Sequence, residues 1–237
     1  MVPDHSPDRS LFRVCSDSAT GDSGRHPLQG QNLVIQNKEI EMTDEDDIAG
    51  TIEVSKKLSR ARTKGELGEI LSEVVARYTL HDLQVIGGRL HTELIRLPRS
   101  YREQVGPYLS DQILGGYHRL MTYHRSGKFK TMSESIPDLE TFRAFCEIIP
   151  TGCTEWDDTV SRMPIPYTIR HRLFYYLIAA FTMFILEEPG HPVGMPFPGG
   201  FRVEDKDGVF YCLIRDKEKE VPYSLCNFCP AVQSENE

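Results

Sequence analysis

Three cysteines near the C-terminus have a spacing that suits metal coordination. Cys226 and Cys229 are separated by two residues, and thirteen residues lie between Cys212 and this pair. A C-x-x-C pair is typical of metal sites, because a tight turn directs both sulfurs at one ion. A closed zinc or iron–sulfur site needs four protein ligands. The sequence therefore predicts a Zn²⁺ or iron–sulfur site with three of its thiolates already identified.

The fourth ligand has several candidates. Cys153 follows Pro150 and Gly152 in a stretch predicted to be an irregular loop, from which its side chain can reach out. His191 is the alternative, and Cys146, on a predicted short apolar helix, is typical of a small buried hydrophobe. An open position is also compatible with the pattern and would suit a catalytic ion. The predicted metal ligands are Cys153, Cys212, Cys226 and Cys229, with His191 as the alternative fourth ligand.

A loop rich in proline and glycine surrounds His191. Residues 190–200 contain four glycines and three prolines, which free the backbone at some positions and fix it at others. Such a loop either lines a ligand pocket or only directs the chain into the next element. Gly199-Gly200 is not a phosphate loop, because the lysine and the following helix are missing.

The residues before this loop have the apolar periodicity of amphipathic helices from residue 44 onward. Thr63 with Glu66, and Thr79 with Asp82, have the spacing of capping boxes at two helix starts. Gly106-Pro107 interrupts a later helical pattern, which predicts either a helix pair or one kinked helix.

Pro150 is predicted to end a short helix that starts near Pro137. The apolar run from Leu173 to Leu186 is shorter than the roughly 20 residues that cross a bilayer, so it predicts a buried central helix and no membrane segment. Asp207-Gly208 between two β-type runs predicts a hairpin.

These elements predict a mainly α protein, in which a helical domain with a central apolar helix carries a small C-terminal β-hairpin module that binds a metal. The predicted divisions are a disordered leader or mis-annotated start at 1–43, the helical domain at 44–188, the Pro/Gly loop and cysteine module at 189–231, and a tail at 232–237.

Charge and cysteine content restrict the functional class. The formal net charge of −8 opposes binding to nucleic acid and to anionic membrane surfaces. Residues 1–30 contain no apolar core of a signal peptide. Six cysteines are too few for a disulfide scaffold in a chain of 237 residues. These features predict a cytoplasmic protein with reduced thiols.

The C-terminal segment resembles an uncharacterised protein family of methanogenic archaea. The residues that carry the resemblance are Pro189-Gly190-His191-Pro192-Val193-Gly194-Met195-Pro196-Phe197-Pro198-Gly199-Gly200, then Tyr211-Cys212, then Leu225-Cys226-Asn227-Phe228-Cys229-Pro230-Ala231. The likeness extends from about Glu45 to Ala231. It implies an archaeal, cytoplasmic setting, somewhat favours iron–sulfur, and implies no activity.

Two classes of function follow. The first is a non-catalytic protein that a structural metal, zinc or iron–sulfur, stabilises and that binds an unknown protein partner. The alternative is an iron–sulfur redox enzyme or metal-dependent enzyme whose pocket is lined by the His191 loop. The sequence favours the first, since no acid–base or nucleophile constellation accompanies the cysteines.

Overall fold

The computed structural model describes residues 44–155 and 167–234. The predicted leader at 1–43 and the last three residues of the predicted tail lie outside this part of the chain. The structure is mainly helical, as predicted, and it carries one small sheet. The division into domains at residues 188 and 231 stays a prediction.

The structure describes seven α-helices in chain order. They are α1 Asp44–Leu58, α2 Lys64–Val75, α3 Leu80–Arg96, α4 Arg99–Ser110, α5 Gly116–Arg125, α6 Leu139–Thr154 and α7 Ile169–Ala180. Both predicted capping boxes are present at the starts of α2 and α3. Short 3₁₀ turns at Lys128–Thr131 and Leu225–Phe228 complete the helical part.

Two π-helical turns extend these helices. Asp111–Gly115 joins α4 to α5 without a break, and Phe181–Ile185 continues α7. The residues around Pro107 therefore form one continuous helical run rather than a pair of helices. In each π-helical turn a backbone N–H donates to the carbonyl five residues earlier. One such bond runs from the Leu186 N–H to the Phe181 carbonyl at 3.1 Å.

Helix α7 lies at the centre of the helical part. All of its residues except Arg170 and Tyr175 are buried, and it packs against α1, α2, α3, α5 and α6. A helix buried on every side gains its stability from apolar burial, at about 25 cal/mol per Å². Among the described residues, no helix combines the length and apolar character that crossing a membrane requires.

Helix α6 continues through Pro150 to Thr154, so the prediction that Pro150 ends this helix was wrong. A proline inside a helix leaves the carbonyl four residues earlier without its usual N–H partner. That carbonyl belongs to Cys146, and the hydroxyl of Ser55 on α1 donates to it at 2.7 Å in the buried interior. A side chain from another helix therefore supplies the missing hydrogen bond.

The sheet has three short strands: β1 Glu204–Lys206, β2 Val209–Cys212 and β3 Val232–Gln233. β1 and β2 are antiparallel, and β3 pairs with β2 in parallel. The hairpin turn forms at Asp207 and Gly208, whose φ values of 56° and 82° suit a tight two-residue connection.

The buried apolar residues form two clusters. The helical core contains most of them, including Leu67, Phe142, Phe145, Phe174 and Phe181. The sheet core is smaller and contains Val105, Met195, Phe197, Val203, Cys212 and Ala231. Val105 belongs to α4, so the sheet packs against the helical part along this helix.

We expect Ser55→Ala to lower the free energy of unfolding by about 1–3 kcal/mol, since it leaves the buried Cys146 carbonyl without a donor. In a Pro150→Ala background the same change should cost less, because the N–H of residue 150 can then donate to this carbonyl. Urea denaturation of the four proteins of this double-mutant cycle measures the difference. Ser59→Ala, which removes an exposed hydroxyl, is the control. An equal cost of Ser55→Ala in both backgrounds would contradict the assignment.

Candidate functional site

The three C-terminal cysteines lie on elements that adjoin each other in the fold. Cys212 is the last residue of β2 and is buried, Cys226 lies within the second 3₁₀ turn, and Cys229 directly follows that turn. The Cys229 N–H donates to the Cys226 carbonyl at 3.3 Å, which closes the tight turn expected of a C-x-x-C pair. Ser224 caps the turn by accepting the Cys226 N–H.

Backbone N–H groups act on the thiols of Cys212 and Cys229. The Gly190 N–H donates to the Cys229 Sγ at 3.3 Å. Burial raises the pKa of Cys229, and the N–H groups of Gly190 and Ala231 oppose that rise. Burial likewise raises the pKa of Cys212, and the N–H groups of Ile214 and Arg215 oppose it. Because hydrogen bonds to the ionised form favour it, these amides are placed to stabilise thiolates.

The three thiols also influence each other. Burial, with a smaller contribution from Cys229 and Cys212, raises the pKa of Cys226 to about 12. Nevertheless, the side chains of residues 44–155 and 167–234 form, as placed, no group of three or more His, Cys, Asp or Glu that could hold a metal ion. The three thiols therefore do not converge on one point.

Cys153 lies elsewhere. It belongs to the last turn of α6 and is fully buried in the helical core, so the prediction of an irregular loop there was wrong. The reason is that α6 continues through Pro150. Burial raises the pKa of its thiol to about 12, and the positive charge of Arg172 opposes this rise. Cys146 is buried in the same core, as expected.

His191 follows the glycine that touches Cys229. Its ring lies edge-on to Phe197 at 5.6 Å between centroids, and burial lowers its pKa to about 4. Its imidazole is therefore neutral at pH 7, the form that binds metals. The loop is held by backbone bonds from Gly194 N–H to the Val203 carbonyl and from Phe197 N–H to the Phe201 carbonyl, both at 2.7 Å.

A cleft of about 350 Å³ opens on the outer side of this loop. Its polar lining includes Asp111, Gln112, Arg119, Thr182, Glu188 and Asp205, and its apolar lining includes Pro192, Val193 and Phe210. Gly190 lines the cleft as well, and its carbonyl accepts from Gln112 Nε2 at 2.7 Å. One peptide segment thus borders both the cleft and the Cys229 sulfur.

Unusual backbone conformations frame the cleft. Asp111 and Gln112 lie in the first π-helical turn and Thr182 lies in the second. Glu187 has a φ of 57°, which is uncommon for a non-glycine residue, and its side chain pairs with Lys64. Single-turn π-helical segments and strained residues often occur at functional sites.

Sequence reasoning missed this cleft, since its lining comes from three separate segments: 111–119, 182–193 and 205–210. The Pro/Gly loop at 190–200 is the local signal for it, since lining a pocket is one of the two roles that its composition predicts. Nothing in the local sequence marks the two π-helical turns.

The chain belongs to the family DUF2115, described as an uncharacterized protein conserved in archaea, whose model matches residues 63–234. The predicted resemblance to an uncharacterised archaeal family is thereby confirmed. No solved structure matches the chain.

Several relatives are methanogen proteins named UPF0305. One from Methanopyrus kandleri is 30% identical over 138 residues, which is 57% of this chain and 86% of the relative. One from Methanocaldococcus jannaschii is 25% identical over 168 residues, 69% of this chain and 92% of the relative. Two matches to Methanothermobacter thermautotrophicus proteins are 50% and 44% identical but span only 37% and 35% of those proteins.

In metal-free protein, we expect iodoacetamide to label Cys226 and Cys229 before Cys146 and Cys153. The first two are half-buried, whereas the other two are fully buried in the helical core and need the helices to open. Pulse labelling at pH 8 in a chelator, followed by peptide mass spectrometry, gives the order. Early labelling of Cys153 would show that its thiol is accessible and contradict its place in the core.

Proposed function

We propose that the C-terminal module binds a structural metal ion through the thiolates of Cys212, Cys226 and Cys229, and that His191 is the fourth ligand. Three cysteines and one histidine form a common closed zinc site, so Zn²⁺ is the proposed ion. The observation that carries the proposal is the hydrogen bond from the Gly190 N–H to the Cys229 Sγ at 3.3 Å, which joins the His191 loop to the cysteine module.

Amide N–H groups distinguish Cys212 and Cys229 from the other described cysteines. Burial raises the pKa of Cys146 and Cys153 to about 12 in each case, and no amide donor opposes that rise. Those two thiols behave as small buried hydrophobes. Hydrogen bonds to coordinating sulfurs are a regular feature of thiolate metal sites, where they tune the bound metal.

Arg215 adds a favourable charge. Its guanidinium lowers the pKa of both Cys212 and Cys229 and donates through Nε to the Ala231 carbonyl at 3.2 Å. A bound dication would act in the same direction and more strongly, because metal coordination deprotonates a thiol. Burial raises the pKa of these thiols and keeps them protonated without metal. A bound ion would lower the pKa and so offset this effect of burial.

The contacts favour His191 over Cys153 as the fourth ligand. Gly190, the preceding residue, is bonded to the Cys229 sulfur, and the His191 ring is neutral. Cys153 is enclosed by the helical core, where Tyr78, Tyr176 and Arg172 are its electrostatic neighbours. Coordination requires the three thiols and His191 to close in around the ion, by side-chain rotation within the module.

The role of such an ion is to hold the sheet module against the helices. A cytoplasmic location, an unknown protein partner and the absence of nucleic-acid binding remain part of this proposal. The alternative function, an iron–sulfur or metal-dependent enzyme, is favoured by one observation: Gly190 and Pro192, on either side of His191, line the cleft.

Metal content of alanine variants tests the site. Protein purified anaerobically should contain one zinc per chain by elemental analysis, and Cys226→Ala, Cys229→Ala and His191→Ala should each lose most of it. Cys153→Ala should retain the metal, and Cys146→Ala is the matched control for removing a buried thiol. A brown protein with charge-transfer absorption would instead indicate an iron–sulfur cluster.

Full metal content in Cys226→Ala and Cys229→Ala would contradict the site altogether. Loss of metal in Cys153→Ala, but not in His191→Ala, would show that the fourth ligand comes from α6. Chelation of the parent should lower the melting temperature, because metal binding is coupled to folding.

A further inference from the structure

We propose that the cleft binds an α-amino acid with an apolar side chain. The carboxylate of the ligand accepts hydrogen bonds from Arg119, its ammonium group lies on the acidic side of the cleft, and its side chain packs against Val193 and Phe210. This site is separate from the proposed metal site and does not require it.

A buried donor of Arg119 carries the proposal. Arg119 lines the cleft, and its Nε is shielded from solvent and has no hydrogen-bond partner within residues 44–155 and 167–234. Leaving a buried donor unsatisfied costs free energy, and the cost is larger for a charged group. Buried polar groups are as a rule hydrogen-bonded, so a donor without a partner needs an explanation. A ligand that brings a hydrogen-bond acceptor into the cleft supplies one.

The ion pair of Arg119 does not use this donor. Arg119 Nη1 donates to both carboxylate oxygens of Glu188, at 3.1 and 2.8 Å. Nε and Nη2 form the other edge of the guanidinium, a planar fork that matches the two oxygens of a carboxylate. Such charge-assisted bidentate bonds are stronger than bonds between neutral groups. The Arg119 side chain is 39% exposed, so it can turn this edge toward a ligand in the cleft.

The remaining charges of the cleft exclude a simple anion as the ligand. Asp111 and Asp205 also line the cleft and are exposed, whereas Arg119 and Glu188 neutralise each other. Two exposed carboxylates do not define a site by themselves, but they repel a ligand that carries only negative charge. A positive group beside the ligand carboxylate removes this repulsion. A carboxylate and an ammonium group on one carbon atom are the defining groups of an α-amino acid.

A phosphate ester fits the cleft less well than an amino acid. It carries about two negative charges at pH 7. Arg119 is the only basic residue among the described residues that line the cleft, and Glu188 already pairs with it. A phosphate would therefore face an excess of carboxylates.

The apolar part of the lining determines the ligand side chain. Val193 is 44% exposed, and Pro192 and Phe210 line the cleft as well. A hydrocarbon side chain over these residues removes apolar surface from water, which contributes favourably to binding. The volume of about 350 Å³ is at the lower end of small-molecule sites and suits a single amino acid.

Hydrogen bonds hold parts of the cleft wall in place. Gln112 Nε2 donates to the Gly190 carbonyl at 2.7 Å and joins the first π-helical turn to the Pro/Gly loop. Asp205 Oδ1 accepts the Gly208 N–H at 2.9 Å within the hairpin turn. Because these segments are already fixed, they need little ordering when a ligand enters.

Isothermal titration calorimetry of the full chain at low ionic strength tests the proposal. The probes are L-leucine and L-phenylalanine. Each has one counterpart without the carboxylate, 3-methylbutylamine or 2-phenylethylamine, and one without the amine, 4-methylpentanoate or 3-phenylpropanoate. At least one amino acid should bind at one site, about ten-fold or more tightly than either of its counterparts.

Variants of Arg119 and of its surroundings locate the site. Arg119→Lys should weaken binding by about ten-fold or more, because lysine keeps the charge and loses the Nε–Nη2 fork. Arg125→Lys is the matched control, since Arg125 lies on the same helix, is exposed, and already donates through Nε to the Met121 carbonyl at 3.2 Å. It should change the affinity by less than about two-fold.

Two further variants separate contact with the ligand from indirect effects. Glu188→Gln removes the ion-pair partner and keeps the fork, so it should change the affinity by less than about three-fold. Val193→Trp should block binding of both amino acids without changing any charge. Circular dichroism of each variant checks the fold.

Three results would overturn the proposal: no saturable binding of either amino acid, equal binding of an amino acid and its counterpart without the carboxylate, or an equal effect of Arg119→Lys and Arg125→Lys. A loss in Glu188→Gln as large as that in Arg119→Lys would show that Arg119 acts only through its ion pair, and would also overturn it. Each titration is repeated on chelator-treated and on zinc-supplemented protein, so failure of the metal site and failure of the amino-acid site are distinguishable.

Discussion

Cys229 is the point on which the arrangement of the C-terminal module depends. Of the described side chains in the two hydrophobic clusters, it alone packs against both the helical core and the sheet core. Its sulfur accepts the N–H of Gly190, which follows the central helix and its π-helical turn. The sheet core has only six fully buried members, and a core of that size supplies little stability by itself. An ion bound at Cys229 would reinforce the junction where apolar burial is weakest.

The segment that follows the central helix borders both the Cys229 sulfur and the cleft. The chain leaves α7 through a π-helical turn and a residue with positive φ, and then enters the Pro/Gly loop. The inner side of that loop reaches the sulfur of Cys229, while its outer side borders the cleft. A change at either site therefore acts on the same short segment.

Local sequence signals predicted much of the helical part. Thr63 with Glu66 and Thr79 with Asp82 form capping boxes because both partners of each box lie within one turn. The role of Pro150 could not be predicted, because the hydroxyl that satisfies the Cys146 carbonyl comes from Ser55, 91 residues away. Because α6 continues through Pro150, Cys153 lies in a helix and within the core. The cleft escaped prediction for the same reason, since its lining joins segments far apart in the chain.

In the proposed site, three C-terminal thiolates and His191 coordinate one metal ion. X-ray absorption at the metal edge, on anaerobically purified protein, measures this ligand shell. We expect three sulfur ligands at about 2.3 Å and one nitrogen ligand at about 2.0–2.1 Å around zinc. Protein without stoichiometric metal, or a shell that contains only oxygen and nitrogen ligands, would contradict it.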